Sequence, residues 1–314
     1  MLRVLLATLL AAACLTLPAA ASAQDALVVP DPAADQVTAL GGTIVWVSGT
    51  FGSQRILQRA PDGVIGPVEN APQARSYSSI DLGKDSDGKL RLTYLRCDAS
   101  SSCKSLWDDL DGRRATFRNL EAPGCKVNTG VSQWRARVAY GLFCTGSAAN
   151  RKLTGLYTKN GSRRPVRLPR PRDAVKFRID TIASVDLRGE RVAAVVADVY
   201  EYSFSQTVGG RDMRSFMAAA SEGDSDEHAR GLAIQGASTH WTLTDSTHAG
   251  DPNTTYIFRQ SGGCIQRELL VSASNATHEF EATDLAVDGK TLYLLKPGAG
   301  IATHTFTPDP TRPC

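Results

Sequence analysis

What this 314-residue chain lacks narrows it before any positive feature does. It has no C-x-x-C and no H-x-x-x-H pair, the close spacings at which zinc sites commonly draw their ligands. It has no G-x-S-x-G, so a serine nucleophile on a strand-to-helix turn is not signalled. The formal charge of +3 is too small a field to demand a polyanionic partner for the whole protein. After residue 17 no apolar run is long enough to cross a bilayer, which takes about 20 residues. Beyond that same point no long segment repeats apolar residues at i, i+3, i+4 and i+7. Helices are therefore not expected.

The start of the chain is itself a signal. Met1-Leu2-Arg3 carries one positive charge, Val4 to Leu17 is apolar, and small residues lead to Ala21-Ser22-Ala23. A short basic start, an apolar core and an A-x-A site describe a secretory signal peptide. The reading is residues 1–23 as signal and 24–314 as one exported domain. Ala11-Ala-Ala-Cys14 also bears a faint likeness to a lipobox, which would leave the product lipid-anchored instead.

Six cysteines follow the cleavage point: Cys97, Cys103, Cys125, Cys144, Cys264 and Cys314. An even number in an exported chain favours disulfides. Cys97 and Cys103 flank a five-residue loop that suits a hairpin clip, and Cys125 and Cys144 lie on segments expected to be adjacent strands. Cys264 is left with Cys314, which would pin the C-terminus to the body.

Short alternating or β-branched runs recur along the chain, separated by Gly, Asp and Pro, as strands and hairpins require. One family of turns carries Gly41-Gly42, Asp87-Gly88, Gln133-Trp134, Arg188-Gly189, Gln235-Gly236 and Asp288-Gly289. The strand after each has a central aromatic (Trp46, Tyr94, Tyr140, Trp241, Tyr293), except the fourth, which has Val195 and Val196. A second family falls between them at Asp62-Gly63, Asp111-Gly112, Asn160-Gly161, Glu222-Gly223 and Gly262-Gly263. Asp-Gly and Asn-Gly suit tight hairpins because both central residues tolerate positive φ.

Two hairpins per unit of about 49 residues make four strands, and four-stranded units repeated around an axis make a β-propeller. The length gives an all-β, six-bladed β-propeller of four-stranded antiparallel blades. A seventh blade remains open if residues 163–178 hide strands. The sixth unit offers three strands, and Ala26-Leu-Val-Val is a strand without a unit. It would complete the last blade and cover its edge.

Thr283-Asp-Leu-Ala-Val-Asp-Gly-Lys-Thr-Leu-Tyr-Leu-Leu resembles a blade of the six-bladed TolB-like propeller superfamily, and Arg230-Gly-Leu-Ala-Ile-Gln-Gly resembles the same inner strand. The resemblance implies fold alone, because that superfamily holds binding domains, lactonases and other enzymes.

Candidate chemistry is sparse. Its lactonase members hold a metal at the channel mouth with side chains from separate blades, which puts Asp81, Asp186 and Asp284 forward as inner-strand carboxylates. Turn and strand-end roles compete with that reading. Asp85-Ser-Asp87 and Glu222 to Glu227 offer calcium oxygens but lack the spacing of a calcium loop. His228, His240, His248, His278 and His304 show no metal spacing.

The densest feature is basic: Arg163, Arg164, Arg167, Arg170, Arg172, Lys176 and Arg178, with Asp173 the sole acid. Pro165, Pro169 and Pro171 favour an extended arm. Phe177 is its only aromatic, which argues against stacking nucleic-acid bases.

Two readings of function follow. The first is an exported, non-catalytic propeller whose arm (Arg163, Arg164, Arg167, Arg170, Arg172) grips an anionic cell-surface polymer or an envelope protein, with no cofactor. The alternative is a metal-assisted hydrolase or lyase working at the channel mouth.

Overall fold

Alternation of apolar and polar residues becomes a succession of antiparallel meanders, each returning through tight turns. The computed structural model describes residues 25–99, 102–110, 112–117, 120–169, 181–198, 201–208, 212–220, 226–246, 254–271 and 282–311. A lone strand, β1 (Ala26–Val29), comes first. The first meander is β2 (Ala34–Leu40), β3 (Thr43–Thr50), β4 (Ser53–Arg59) and β5 (Ile65–Pro67). The second is β6 (Ser76–Lys84), β7 (Leu90–Ala99), β8 (Ser102–Asp108) and β9 (Arg114–Thr116).

β10 (Cys125–Trp134) and β11 (Arg137–Cys144) are followed by a one-turn helix, α1 (Ala148–Arg151), then β12 (Gly155–Asn160) and β13 (Val166–Arg167). Next come β14 (Thr181–Arg188), β15 (Arg191–Asp198), β16 (Glu201–Val208) and β17 (Asp212–Ala220). They lead to β18 (Asp226–Gln235), β19 (Ser238–Ser246), β20 (Thr254–Ser261) and β21 (Cys264–Val271). The last strands are β22 (Asp284–Asp288), β23 (Thr291–Lys296) and β24 (Gly300–His304).

These strands form four sheets of four and one of eight. The eight-stranded sheet is two meanders joined by one parallel pairing, Trp134 against Lys84. The leading strands contact one another in a circle: β2 with β6, β6 with β10, β10 with β14, β14 with β18, β18 with β22, and β22 with β2. They surround a common axis.

Apolar clusters fill the gaps between neighbouring meanders. Val45, Val47 and Ile56 pack on Tyr77, Leu82 and Tyr94, while Ala139 and Leu156 pack on Ile182 and Leu187. Four of the five aromatics expected at the centres of second strands anchor this packing, while the fifth, Tyr293, is half-buried. Trp46, Tyr94, Tyr140 and Trp241 are all buried, and Val195, which holds the aromatic's place in β15, packs beneath Trp241.

One turn differs from the sequence expectation. Gln133 and Trp134 stay in β10, paired with Val138 and Arg137, and the chain reverses at Arg135-Ala136. Arg135 takes the left-handed conformation (φ 56°) and its carbonyl accepts from the Gln133 side chain at 2.8 Å. Without a glycine to mark the reversal, the sequence placed it two residues early. Cys97–Cys103 and Cys125–Cys144 are disulfides, each across directly paired strand positions. Cys264 is also disulfide-bonded, and Cys314 lies outside the described residues.

β1 pairs antiparallel with β24, so residues from the two ends of the described chain share a sheet. Beside this pairing, His304 lies between two carboxylates, Nδ1 at 2.8 Å from Asp25 and Nε2 at 2.9 Å from Glu268, and Lys296 pairs with Asp25 at 2.7 Å. Burial disfavours the charged imidazole, but bonds to Glu268 and Asp25 outweigh it, and the His304 pKa is raised above 6.5. A pKa raised by folding stabilises fully below the unfolded value and loses that contribution as pH rises through the folded one. The melting temperature should therefore fall as pH rises from about 6 to about 8. His304→Gln should lower it at the acid end and flatten the slope, which thermal melts across a pH series would read.

Candidate functional site

The leading strands run in one direction along the axis, so the channel has two unlike mouths. At the strand-start mouth a cavity of about 320 Å3 is lined by Asp35, Gln36, Ser78, Ser79, Ser184 and Asp284, among others. The shape of this mouth comes from irregular backbone. Pairing shifts register between Ala34 and Gln36, Ser78 and Asp81, Val127 and Val131, Ile182 and Ser184, and Arg230 and Leu232. Such bulges interrupt a ladder and re-aim side chains. Here they turn small polar residues toward the axis.

A buried ionic cluster lies among the leading strands. The Arg188 guanidinium lies 3.2 Å from Asp81 and 3.5 Å from Asp186. Ser132 Oγ donates to Asp81 at 2.6 Å and accepts the Leu187 N–H at 2.7 Å. Asp186 Oδ2 accepts the Ile234 N–H at 2.5 Å. Complete burial pushes the Asp186 pKa well above the usual carboxylate range, with Asp81 adding to the rise and Arg188 opposing it. Burial also works against the charge on Arg188, but Asp186 and Asp81 outweigh it and keep the guanidinium charged.

The three carboxylates proposed from sequence as a metal set thus have other partners. Asp81 and Asp186 hold Arg188, while Asp284 accepts the N–H groups of Val37 and Leu285, each at 2.9 Å. A guanidinium between two of the three opposes a metal cation there electrostatically. Asp85 closes its hairpin, accepting the N–H groups of Asp87 and Lys89 at 2.9 Å and pairing with Arg91 at 3.3 Å. That geometry agrees with the hairpin-turn reading of Asp85, whose carboxylate serves the turn.

The two histidines whose side chains are described, His240 and His304, lie apart. His240 is buried on β19 with its pKa lowered to about 4 by burial and by Arg259, whereas His304 is held beside β1. His248 and His278 lie outside the described residues.

The basic segment divides into two kinds of arginine. Arg163 and Arg164 are exposed and line a groove of about 310 Å3 with Arg137, Lys159 and Glu190. Arg167 instead reaches the carbonyls of Lys152 and Thr154, at 2.7 and 2.6 Å, and serves the loop around α1. Arg170 and Arg172 lie outside the described residues. Sequence reasoning also passed over Trp134, read as a turn residue. It lines a third cavity, about 530 Å3, at the hairpin end of the channel. The available signal was a tryptophan beside a reversal where most neighbouring turns carry glycine.

No protein-family model and no curated protein matches the chain. Among solved structures it is similar to the fucose-specific lectin from Aleuria aurantia (TM-score 0.52, 11% identity), covering 90% of this chain and 97% of that one. It is also similar to AofleA from Arthrobotrys oligospora (TM-score 0.50, 12% identity), covering 88% and 83%. The β-propeller domain of the trilobed protease from Pyrococcus furiosus gives a TM-score of 0.45 at 10% identity, covering 84% and 90%. At such identities the likeness is one of fold, and the fold is a β-propeller: antiparallel meanders set around an axis.

The ionic cluster makes a stability prediction. Asp186→Ala removes one of the two carboxylates facing Arg188 and leaves the buried Ile234 N–H unpaired. Removing one partner of a buried pair costs about 3–5 kcal/mol. Asp186→Asn, whose amide oxygen can still accept that N–H, should cost less. Denaturant unfolding of the three proteins at pH 7 would rank them in that order.

Proposed function

We propose that this chain is an exported, non-catalytic propeller of six blades, its ring closed by β1 on the last blade, that binds an anionic cell-surface polymer. Export is supported by the leader-like segment ending at Ala23, and the disulfides, Cys97–Cys103 and Cys125–Cys144 among them, suit an oxidising compartment. The closing role of β1 is supported by its pairing with β24. Kinship with TolB-like propellers rests on the inner-strand segments alone.

The observation that carries the binding reading is the groove between β12–β13 and the β14–β15 turn. Arg137, Lys159, Arg163 and Arg164 line it against a single acid, Glu190. Guanidinium groups recognise carboxylate and phosphate bidentately, so a chain carrying such groups at sugar-length intervals suits the groove. Structural neighbours at TM-scores of 0.50 and above include a lectin named for fucose, so a fold of this shape serves carbohydrate binding in that protein. The metal-hydrolase alternative has less support, because Asp81, Asp186 and Asp284 are taken up by Arg188, Ser132 and backbone N–H groups.

The mature protein should be retained on a heparin column at about 0.1 M salt, where screening acts over about 10 Å. Arg163→Ala/Arg164→Ala should pass through it with an unchanged melting temperature, since both side chains are exposed. Equal retention of the two proteins would sink the groove; a partner among envelope proteins would show as no retention of either. EDTA should leave the melting temperature where it was.

A further inference from the structure

We infer that the hairpin-end mouth of the channel is a saccharide pocket that seats one neutral sugar unit beside Trp134. This deepens the polymer-binding reading and rests on it. The cavity there, about 530 Å3, falls in the range of small-ligand pockets, about 300–1,000 Å3.

Its floor is apolar, made by Leu40, Ile234 and Val287 from three leading strands. Trp134 stands half-buried at the side, its ring flanked by Arg188 at 5.6 Å and Lys84 at 5.7 Å from the centroid. An indole held on both counts is already ordered, and a ligand meeting it loses little further freedom.

The rim carries donors and acceptors in near balance. Arg191 and Gln235 line it together with Glu190 and Asp288, and Asp288 also accepts the Gly42 N–H at 2.6 Å. The charge of Arg188 beneath is already met by Asp81 and Asp186. A free anion would confront Glu190 and Asp288, and a bare aromatic ligand would leave the rim groups without partners. A sugar ring answers both needs, with C–H surfaces for the apolar wall and hydroxyls that donate and accept.

Access is open. Gly189, Gly236 and Gly289 stand at the rim in left-handed turns, and a Cβ built on any of them meets nothing within 4 Å. The pocket also adjoins the basic groove, because Glu190 lines both and pairs with Arg137 at 3.5 Å. A polymer with one neutral unit in the pocket would run directly onto Arg137, Arg163 and Arg164.

The test is an array of neutral oligosaccharides and of oligosaccharides bearing uronate or sulfate, probed with the mature protein. Trp134→Phe and Gln235→Trp, the second filling the cavity from its rim, should each weaken the array signals at least tenfold. Arg163→Ala/Arg164→Ala should lose signal on the anionic members and keep it on the neutral ones. An empty array for the unaltered protein, or signals unchanged in Gln235→Trp, overturns the pocket. Trp134→Phe counts only if its melting temperature is kept; Gln235→Trp decides otherwise, because its site is a half-exposed strand end. Unchanged array signals beside lost heparin retention would remove the pocket and leave the groove standing, and the converse would do the reverse.

Discussion

The arrangement depends on one repeated contact, a side-chain oxygen on one leading strand accepting a backbone N–H from the next. Asp284 takes Val37, Thr38 takes Leu82, Ser132 takes Leu187 and Asp186 takes Ile234. Meanders set edge-on around an axis have no continuous ladder between them, so these N–H groups would otherwise be buried without partners. Each such loss costs about 1–3 kcal/mol. Where β6 and β10 do join by a direct backbone bridge, glycine replaces the side-chain staple. A Cβ at Gly83 would strike the Gln133 carbonyl, and one at Gly130 would strike that of Ser79.

That use of oxygen atoms shapes what the channel can do. Carboxylates engaged by backbone N–H groups and by Arg188 are poorly placed to hold a metal. The proposed binding surface accordingly lies outward, on turns and outer strands, where staples are not required. Trp134 and the open glycine turns lie beside the basic groove, with Glu190 lining both hollows. Surface loops carried by a rigid scaffold are the usual location for binding residues.

Much of the fold is legible in the sequence, because strand alternation and Gly-bearing turns are local signals. The buried aromatics Trp46, Tyr94, Tyr140 and Trp241 follow from their place at the centre of each second strand. The disulfides Cys97–Cys103 and Cys125–Cys144 follow from hairpin proximity. The reversal after Trp134 was missed because a left-handed arginine does the work usually left to glycine. Among the basic residues, sequence could not separate Arg167, spent on the carbonyls of Lys152 and Thr154, from the exposed Arg163 and Arg164, since all share one composition.

By itself the sequence determined the repeat, the strands and the local disulfides, all of which rest on residues close along the chain. Only the tertiary structure decided what the acidic residues do. Asp81 meets Arg188 across 107 positions and Asp284 meets Val37 across 247. No pattern in one segment encodes such a meeting. Whether a carboxylate is a ligand or a staple is set by which backbone group ring closure brings to it.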